Sequence, residues 1–283
     1  MPYLNLRGVE HYYQWMGDAP HSPGKPVMVF MHGWGGSARY WESTAQAFSD
    51  RFDCLLYDLR GFGRSLLPVE PLATDPGYEL ETYAEDLALL LDQLELDRIY
   101  LIAHSTGSSI AVFFANLYPE RLEQLILTCS GIFEYQEVAF KQFHQFGGYV
   151  VKFRPRWLSQ IPFMDRLFMA RFLRRPIPAD QRQAFMNDFL QADYAAALGT
   201  MLTAVSKKAA EVMPTEFARL CVPTLLISGQ YDIIIPAQMG EQAASLSPQV
   251  NYRVIPETAH FPMLEDASGF LACVQEFLSR SQA

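Results

Sequence analysis

The chain of 283 residues is most informative first for what it has little of. It contains no run of about 18 consecutive apolar residues, so no transmembrane helix is expected. Its four cysteines, Cys54, Cys129, Cys221 and Cys273, are scattered, three of them in or beside apolar strand candidates. No Cys/His spacing resembles a zinc motif, so free thiols are expected rather than bridges or a metal site. Basic residues are outnumbered, with 22 Lys and Arg against 31 Asp and Glu and a net charge of −9. General nucleic-acid binding needs a basic face, and the net charge argues against it. The N-terminus, Met1-Pro-Tyr-Leu-Asn-Leu-Arg-Gly, lacks the basic start and apolar run of a secretory signal. A cytoplasmic, reduced protein is the expectation. No internal repeat or low-complexity tract is present.

What is there is apolar sequence, 50% of the residues, enough for a large core in one domain or one domain with an insertion. Tyr3 to Met16 holds two β-prone runs around Arg7-Gly8, the pattern of a hairpin. Asp18 to Lys25 reads as a loop. Val27-Met-Val-Phe-Met31 is a continuous apolar run, the mark of a strand buried on both faces. It ends in His32-Gly-Trp-Gly-Gly36, followed by Ser37 as an N-cap and a helix to about Phe48. Further strands are expected at Cys54–Tyr57, Ile99–Ala103, Gln124–Thr128, Thr224–Ser228 and Tyr252–Ile255. Between them Tyr83, Leu87, Leu90, Leu91 and Leu94 fall at helical spacing within 79–96. This alternation predicts an α/β fold, a mostly parallel sheet flanked by helices on both faces. The stretch from Gly131 to Pro214 breaks the rhythm. It has no buried strand and is too long for a plain loop, which predicts a helical insertion.

The chemistry gathers at strand ends. Ile99-Tyr-Leu-Ile-Ala-His-Ser105-Thr-Gly107 runs from a strand into a serine, with small residues two positions away on either side, and then into a helical run. That is the layout of a tight strand–turn–helix elbow, which would hold the Ser105 hydroxyl exposed near a helix N-terminus. A serine needs a base to take its proton and a third group to orient the base. Of the six histidines only His260 lies on a loop after a strand and downstream of the serine. Asp232, directly after the penultimate strand, is the orienting acid, with Glu134 as its rival. Glu257, Glu265 and Asp266 read as loop and helix-terminal carboxylates.

The order Ser105, Asp232, His260 is the chain order of the α/β-hydrolase triad. With His32-Gly-Trp-Gly-Gly36, Asp58-Leu-Arg-Gly-Phe-Gly-Arg-Ser65, Ala103-His-Ser-Thr-Gly107, Tyr118-Pro-Glu-Arg-Leu122, Ser228-Gly-Gln-Tyr-Asp232 and Ala259-His260, the sequence resembles the α/β-hydrolase family. The resemblance covers 1–130 and 215–283 as the core, with 131–214 in the place of the family's variable helical cap. One departure is Ala103, where the usual pattern has Gly. The resemblance implies oxyanion donors at the backbone N–H groups of Trp34 and Thr106. It also implies a substrate pocket near Gly33, Trp34 and His104, no metal and no organic cofactor. His32 is expected to brace its loop, and Asp58, Arg60 and Arg64 to pin the turn after their strand. Members that open epoxides or displace halide carry Asp as nucleophile, which Ser105 argues against.

The expected function is therefore a serine hydrolase cleaving carboxylic esters with a largely apolar acyl or alcohol part. A C–C bond hydrolase of diketone type and a non-catalytic receptor or scaffold of this fold are the alternatives, because one triad serves many reactions. Expected partners are a small apolar ester or lipid and, through the aromatic, basic insertion, an anionic membrane surface. Arg171, Arg174 and Arg175 beside Phe168 and Phe172 are the sequence's candidate for such a surface.

Overall fold

A computed structural model describes residues 3–16, 24–70, 72 and 74–280. The first six residues of the loop expected over 18–25, His21 among them, lie outside the described residues. Tyr3–Leu6 (β1) and Val9–Met16 (β2) form the hairpin around Arg7-Gly8. Both turn residues have positive φ, 53° and 85°, which matches the twist of the two strands. The remaining strands are Val27–Met31 (β3), Asp53–Tyr57 (β4), Ile99–His104 (β5), Leu122–Thr128 (β6), Thr224–Gly229 (β7) and Val250–Ile255 (β8).

They make one eight-stranded sheet in the order β1-β2-β4-β3-β5-β6-β7-β8. Strand β2 is antiparallel to both its neighbours, and every pairing from β4 to β8 is parallel. Parallel strands need covered faces, and the central ones are buried throughout. Alternation along β3 divides the core. Val27, Val29 and Met31 pack into one apolar cluster, and Met28 and Phe30 into the other. Leu80–Gln93 (α2), Thr106–Leu117 (α3), Lys207–Ala218 (α8) and Ala237–Ala244 (α9) cover the first face. Glu42–Phe48 (α1) and Ala267–Arg280 (α10) cover the second. Ser37 caps a 3-10 turn, Ala38–Trp41, that leads into α1. Strand β8 is less buried than its sequence suggests, because it closes the sheet edge and covers one face only.

From β3 the chain steps to one side of the sheet, to β4, and then returns past β3 to β5 and onward. The loops leaving the carboxyl ends of β3 and β5 therefore diverge, which opens a crevice at that switch point. Between β6 and β7 lie Glu137–Lys152 (α4), Met164–Met169 (α5), Ala179–Gln191 (α6), Tyr194–Ala204 (α7) and α8. Residue 214, where the sequence places the end of the insertion, lies inside α8. That helix packs on α3, where the Asn116 amide donates to the Glu216 carboxylate at 2.7 Å.

The turn after β4 is tied to α2 by a buried ion pair. Arg60 is fully buried, donates to Asp86 at 2.9 Å and lies over the Tyr83 ring. Asp86 also pairs with Arg7 at 3.2 Å, but Arg60 has no other carboxylate among the described residues, so removing Asp86 leaves its charge desolvated and uncompensated. Asp86→Ala is expected to cost about 3–5 kcal/mol in urea unfolding. Arg60→Met with Asp86→Leu should cost clearly less, and equal losses in the two variants would contradict this account.

Candidate active site

Ser105 connects β5 to α3 with φ 54° and ψ −123°, a conformation an L-residue holds only when its surroundings enforce it. The enforcement is visible. Its N–H donates to the Thr128 carbonyl at 2.8 Å, and its own carbonyl accepts the Ser108 N–H at 2.8 Å, which starts α3. The small flanking residues are required by space. Ala103 is fully buried, and a Cβ on Gly107 would lie 2.3 Å from the His32 carbonyl oxygen.

The structure brings Ser105, His260 and Asp232 together from three loops. Ser105 Oγ–H donates to His260 Nε2 at 3.1 Å, and His260 Nδ1–H donates to Asp232 Oδ2 at 2.7 Å. The other carboxylate oxygen of Asp232 accepts the N–H groups of Ile234 (2.8 Å) and Ile235 (3.1 Å), which fixes its orientation. A carboxylate on Nδ1–H leaves the Nε2 lone pair facing the hydroxyl, the tautomer a general base needs. Glu134, the rival acid in the sequence, is exposed, and the carboxylate on His260 Nδ1 is that of Asp232.

The Gly33-Trp34 loop lies against the elbow. A Cβ on Gly33 would stand 3.0 Å from both the Ser105 Cβ and the His104 carbonyl oxygen. Among the described residues, neither the Trp34 nor the Thr106 backbone N–H has a hydrogen-bond partner. The Trp34 indole donates to the Ala197 carbonyl at 2.8 Å, which turns its ring onto Phe189 and into a narrow apolar pocket. Leu59, Phe62, Tyr83, Thr106 and Ile110 share the lining of that pocket. His32 braces the loop as expected: its Nδ1–H donates to Gly33 O (2.8 Å) and its Nε2 accepts the Leu59 N–H (2.9 Å). Asp58 accepts the backbone N–H groups of Ala38 and Arg64 at 2.8 Å and the Arg64 guanidinium at 2.6 Å.

His104 differs from its expected place in the substrate pocket. It is buried, and both ring nitrogens are spent inside the protein. Tyr40 O–H donates to Nδ1 at 3.0 Å, and Nε2–H donates to the His260 carbonyl at 2.7 Å. The Tyr40 oxygen also accepts the Gly33 N–H at 2.5 Å. His104 thus ties the Gly33 loop to the His260 loop instead of facing a ligand. With Cys129 and His260 it also forms a group of potential metal ligands within 4.8 Å of one another. The group does not suit a metal, since these nitrogens are already committed and burial pushes the Cys129 thiol well up from its ordinary value.

Sequence reasoning missed the support of the His260 loop. Glu265, read as a helix-terminal carboxylate, accepts the N–H groups of Ala259 (2.9 Å) and Phe261 (3.2 Å) on either side of His260. Its second oxygen accepts those of Arg174 (2.6 Å) and Arg175 (2.8 Å). The His260 N–H donates to the Phe172 carbonyl at 2.9 Å. No capping box marks this place in the sequence, since the N-cap is Phe261 and Glu265 stands four residues beyond it instead of three. The arrangement also changes the reading of the 168–175 cluster. Arg174 and Arg175 pair with Glu257 and Asp266 on the core, and Phe168 and Phe172 pack inward on Phe185.

Burial holds His11 and His32 below the ordinary histidine value of 6.5, and His104 well below it, the last helped by neighbouring His260. The unfolded chain takes up these protons as pH falls through about 6.5, and the folded protein does not. Their contribution to stability is complete above that pH and is lost below it. The urea midpoint should fall between about pH 7.5 and 5.5, and a midpoint that is flat or rises on acidification would contradict neutral buried imidazoles.

The described residues contain no helix long and apolar enough to cross a membrane. A family model described as the alpha/beta hydrolase fold matches residues 26–267. A Pseudomonas savastanoi pv. phaseolicola protein, provisionally named carbamate hydrolase RutD, is 26% identical over 274 residues, covering 90% of this chain and 94% of its own. The crystal structure of the enol-lactonase from Burkholderia xenovorans LB400 superposes with a TM-score of 0.76 at 22% identity, covering 98% of this chain and 100% of that one. The Exiguobacterium antarcticum esterase EaEST gives 0.78 at 20% identity, with 97% of each chain covered. The family match spans most of the chain and coincides with the fold and the serine elbow, and the chain belongs to the alpha/beta hydrolase family.

Proposed function

We propose that the protein is a serine hydrolase that cleaves carboxylic esters with a largely apolar acyl or alcohol part. The observation that carries this reading is the single imidazole of His260 hydrogen-bonded to Ser105 on one side and Asp232 on the other. His260 Nε2 takes the proton as Ser105 Oγ attacks the ester carbonyl carbon. The charge that develops on the carbonyl oxygen meets the N–H groups of Trp34 and Thr106, held beside the elbow before the reaction begins. His260 then returns the proton to the departing alcohol, leaving an acyl-enzyme on Ser105. Water, deprotonated by His260, attacks that acyl group and releases the acid. A narrow apolar recess between Trp34 and Ile110 borders the proposed oxyanion donors. No step calls for a metal or an organic cofactor.

Relatives named for carbamate, enol-lactone and ester cleavage support attack at a carbonyl bonded to oxygen or nitrogen over cleavage of a C–C bond. Helices α4 to α7 and residues 131–214 as a whole act in this reading as the lid over the site. A reduced cytoplasmic location is part of the same proposal.

Incubation with a fluorophosphonate is expected to label Ser105 in the native protein and nothing in Ser105→Ala. The variant should lose hydrolysis of p-nitrophenyl esters while keeping its unfolding midpoint, since it removes one hydroxyl from a half-buried turn. Full activity in Ser105→Ala, or an unlabelled native protein, would refute a serine hydrolase.

Asp232→Asn keeps the shape but can present an N–H to Nδ1, which favours the unproductive tautomer of His260. It should lower kcat by ~10⁴ if the precedent of serine proteases holds. Glu134→Gln should leave kcat unchanged. The opposite pattern would move the orienting role to Glu134.

A further inference from the structure

We infer that the outer face of α4, the 3-10 turn Arg156–Gln160 and α5 is a docking surface for an anionic phospholipid bilayer. The inference deepens the proposed function, on which it rests for its substrate class, by placing that substrate at a lipid–water interface.

Two sides of α4 divide cleanly. Phe140 and Val151 are buried, and Gly147 lies on Met201, so this side faces α7. The opposite side carries Phe146, Tyr149 and Phe153 at helical spacing, and all three are exposed. The surface continues through Trp157, Phe163 and Leu167, with Phe153 66%, Phe163 78% and Leu167 70% exposed. With Ile161, seven large apolar side chains in water within 22 consecutive positions, 146–167, exceed the scattered single exposures ordinary for a surface. Phe163 holds a left-handed backbone, φ 63°, which is costly for a bulky residue and aims its ring outward at the tip before α5.

Charge selects the occupant. Residues 138–171 carry six cations and a single acid, Asp165, which is paired to Arg182. The chain as a whole has a net charge of −9. Lys152, Arg156, Arg166 and Arg171 are exposed and have no acidic partner among the described residues. Aromatic anchors interleaved with unpaired cations complement an anionic headgroup layer over acyl chains. A two-fold contact between copies of this chain would press these four cations against their own counterparts. The inner side of the same segment reaches the site. Phe168 in α5 and Phe172 just after it pack inward on Phe185, and the Phe172 carbonyl accepts the His260 N–H. A bilayer on the outer face would therefore lie against the segment whose inner side holds the His260 loop.

The test is co-sedimentation of the full chain with vesicles of phosphatidylcholine alone or of phosphatidylcholine with phosphatidylglycerol. The native protein and Ser105→Ala are both expected to bind the anionic vesicles better, the preference shrinking as added salt shortens the screening length to about 8 Å and below. Replacing Lys152, Arg156, Arg166 and Arg171 together by Gln should weaken anionic binding by about 600-fold, since each cation near such a surface contributes roughly fivefold. Phe153→Ser with Trp157→Ser and Phe163→Ser should also abolish it. Both variants should hydrolyse a short soluble ester at the native rate. Equal partitioning of the native protein to the two vesicles, or native-level anionic binding by the charge variant, overturns the inference. So does a native dimer in light scattering that the aromatic variant converts to monomer. Vesicle binding that persists in a protein inactive on every ester would sustain the docking surface while removing the proposed function.

Discussion

The neutral imidazole of His104 is the connection on which the arrangement at the sheet's carboxyl edge depends. Gly33, Tyr40, His104 and His260 form one chain of hydrogen bonds running from the loop after β3 to the loop after β8. His104 itself is the last residue of β5, beside Ser105. The chain works only if His104 is uncharged, with its proton on Nε2 and its lone pair on Nδ1 toward the tyrosine. Burial ensures this, by holding its proton affinity well down, while burial of Tyr40 keeps the phenol protonated and able to donate. Groups separated by 156 residues in the chain are thereby set within hydrogen-bond reach of one another.

Around that connection the structure commits backbone polar groups with little slack. Glu265 uses both oxygens on four N–H groups, two flanking His260 and two from the segment after α5. The same carboxylate thus holds the His260 loop and the start of the path to the outer helices. Cys129, at the end of β6, has φ 50°, and Ser105 beside it has φ 54°. Two non-glycine residues in the left-handed half of the map at adjacent strand ends mark stored strain, which the dense hydrogen bonding around them sustains. In the proposed mechanism, that strain serves to present a hydroxyl that would otherwise turn into the helix.

The segment between β6 and β7 has two contrasting surfaces. Its inner side is apolar and aromatic, with Phe168 in contact with both Phe185 and Phe189 and Asp188 drawn toward Ser37 and Arg39. Its outer side leaves aromatic rings and unpaired cations in water. Folding economy explains the first and not the second, because burying those rings would have favoured the folded state. The bilayer proposed above would be a partner of matching chemistry.

The sequence by itself determined the alternation of strands and helices, the hairpin at Arg7-Gly8, the elbow at Ser105 and the order Ser105, Asp232, His260. These signals are local: apolar runs, period-3.6 stripes, small residues beside a turn, and polar residues just past strand ends. It left Asp232 and Glu134 as alternatives, since both follow strands, and only the positions of β6 and β7 in the sheet put Asp232 within 2.7 Å of the imidazole. It placed His104 in the substrate pocket, and packing turned both nitrogens inward. It gathered Arg174, Arg175, Phe168 and Phe172 into a surface cluster, and tertiary contacts drew them onto the core while exposing Phe153, Trp157 and Phe163 instead. The physical reason is common to all three. Which face of a helix or loop meets the core depends on partners distant in the chain, and no short window of sequence contains them.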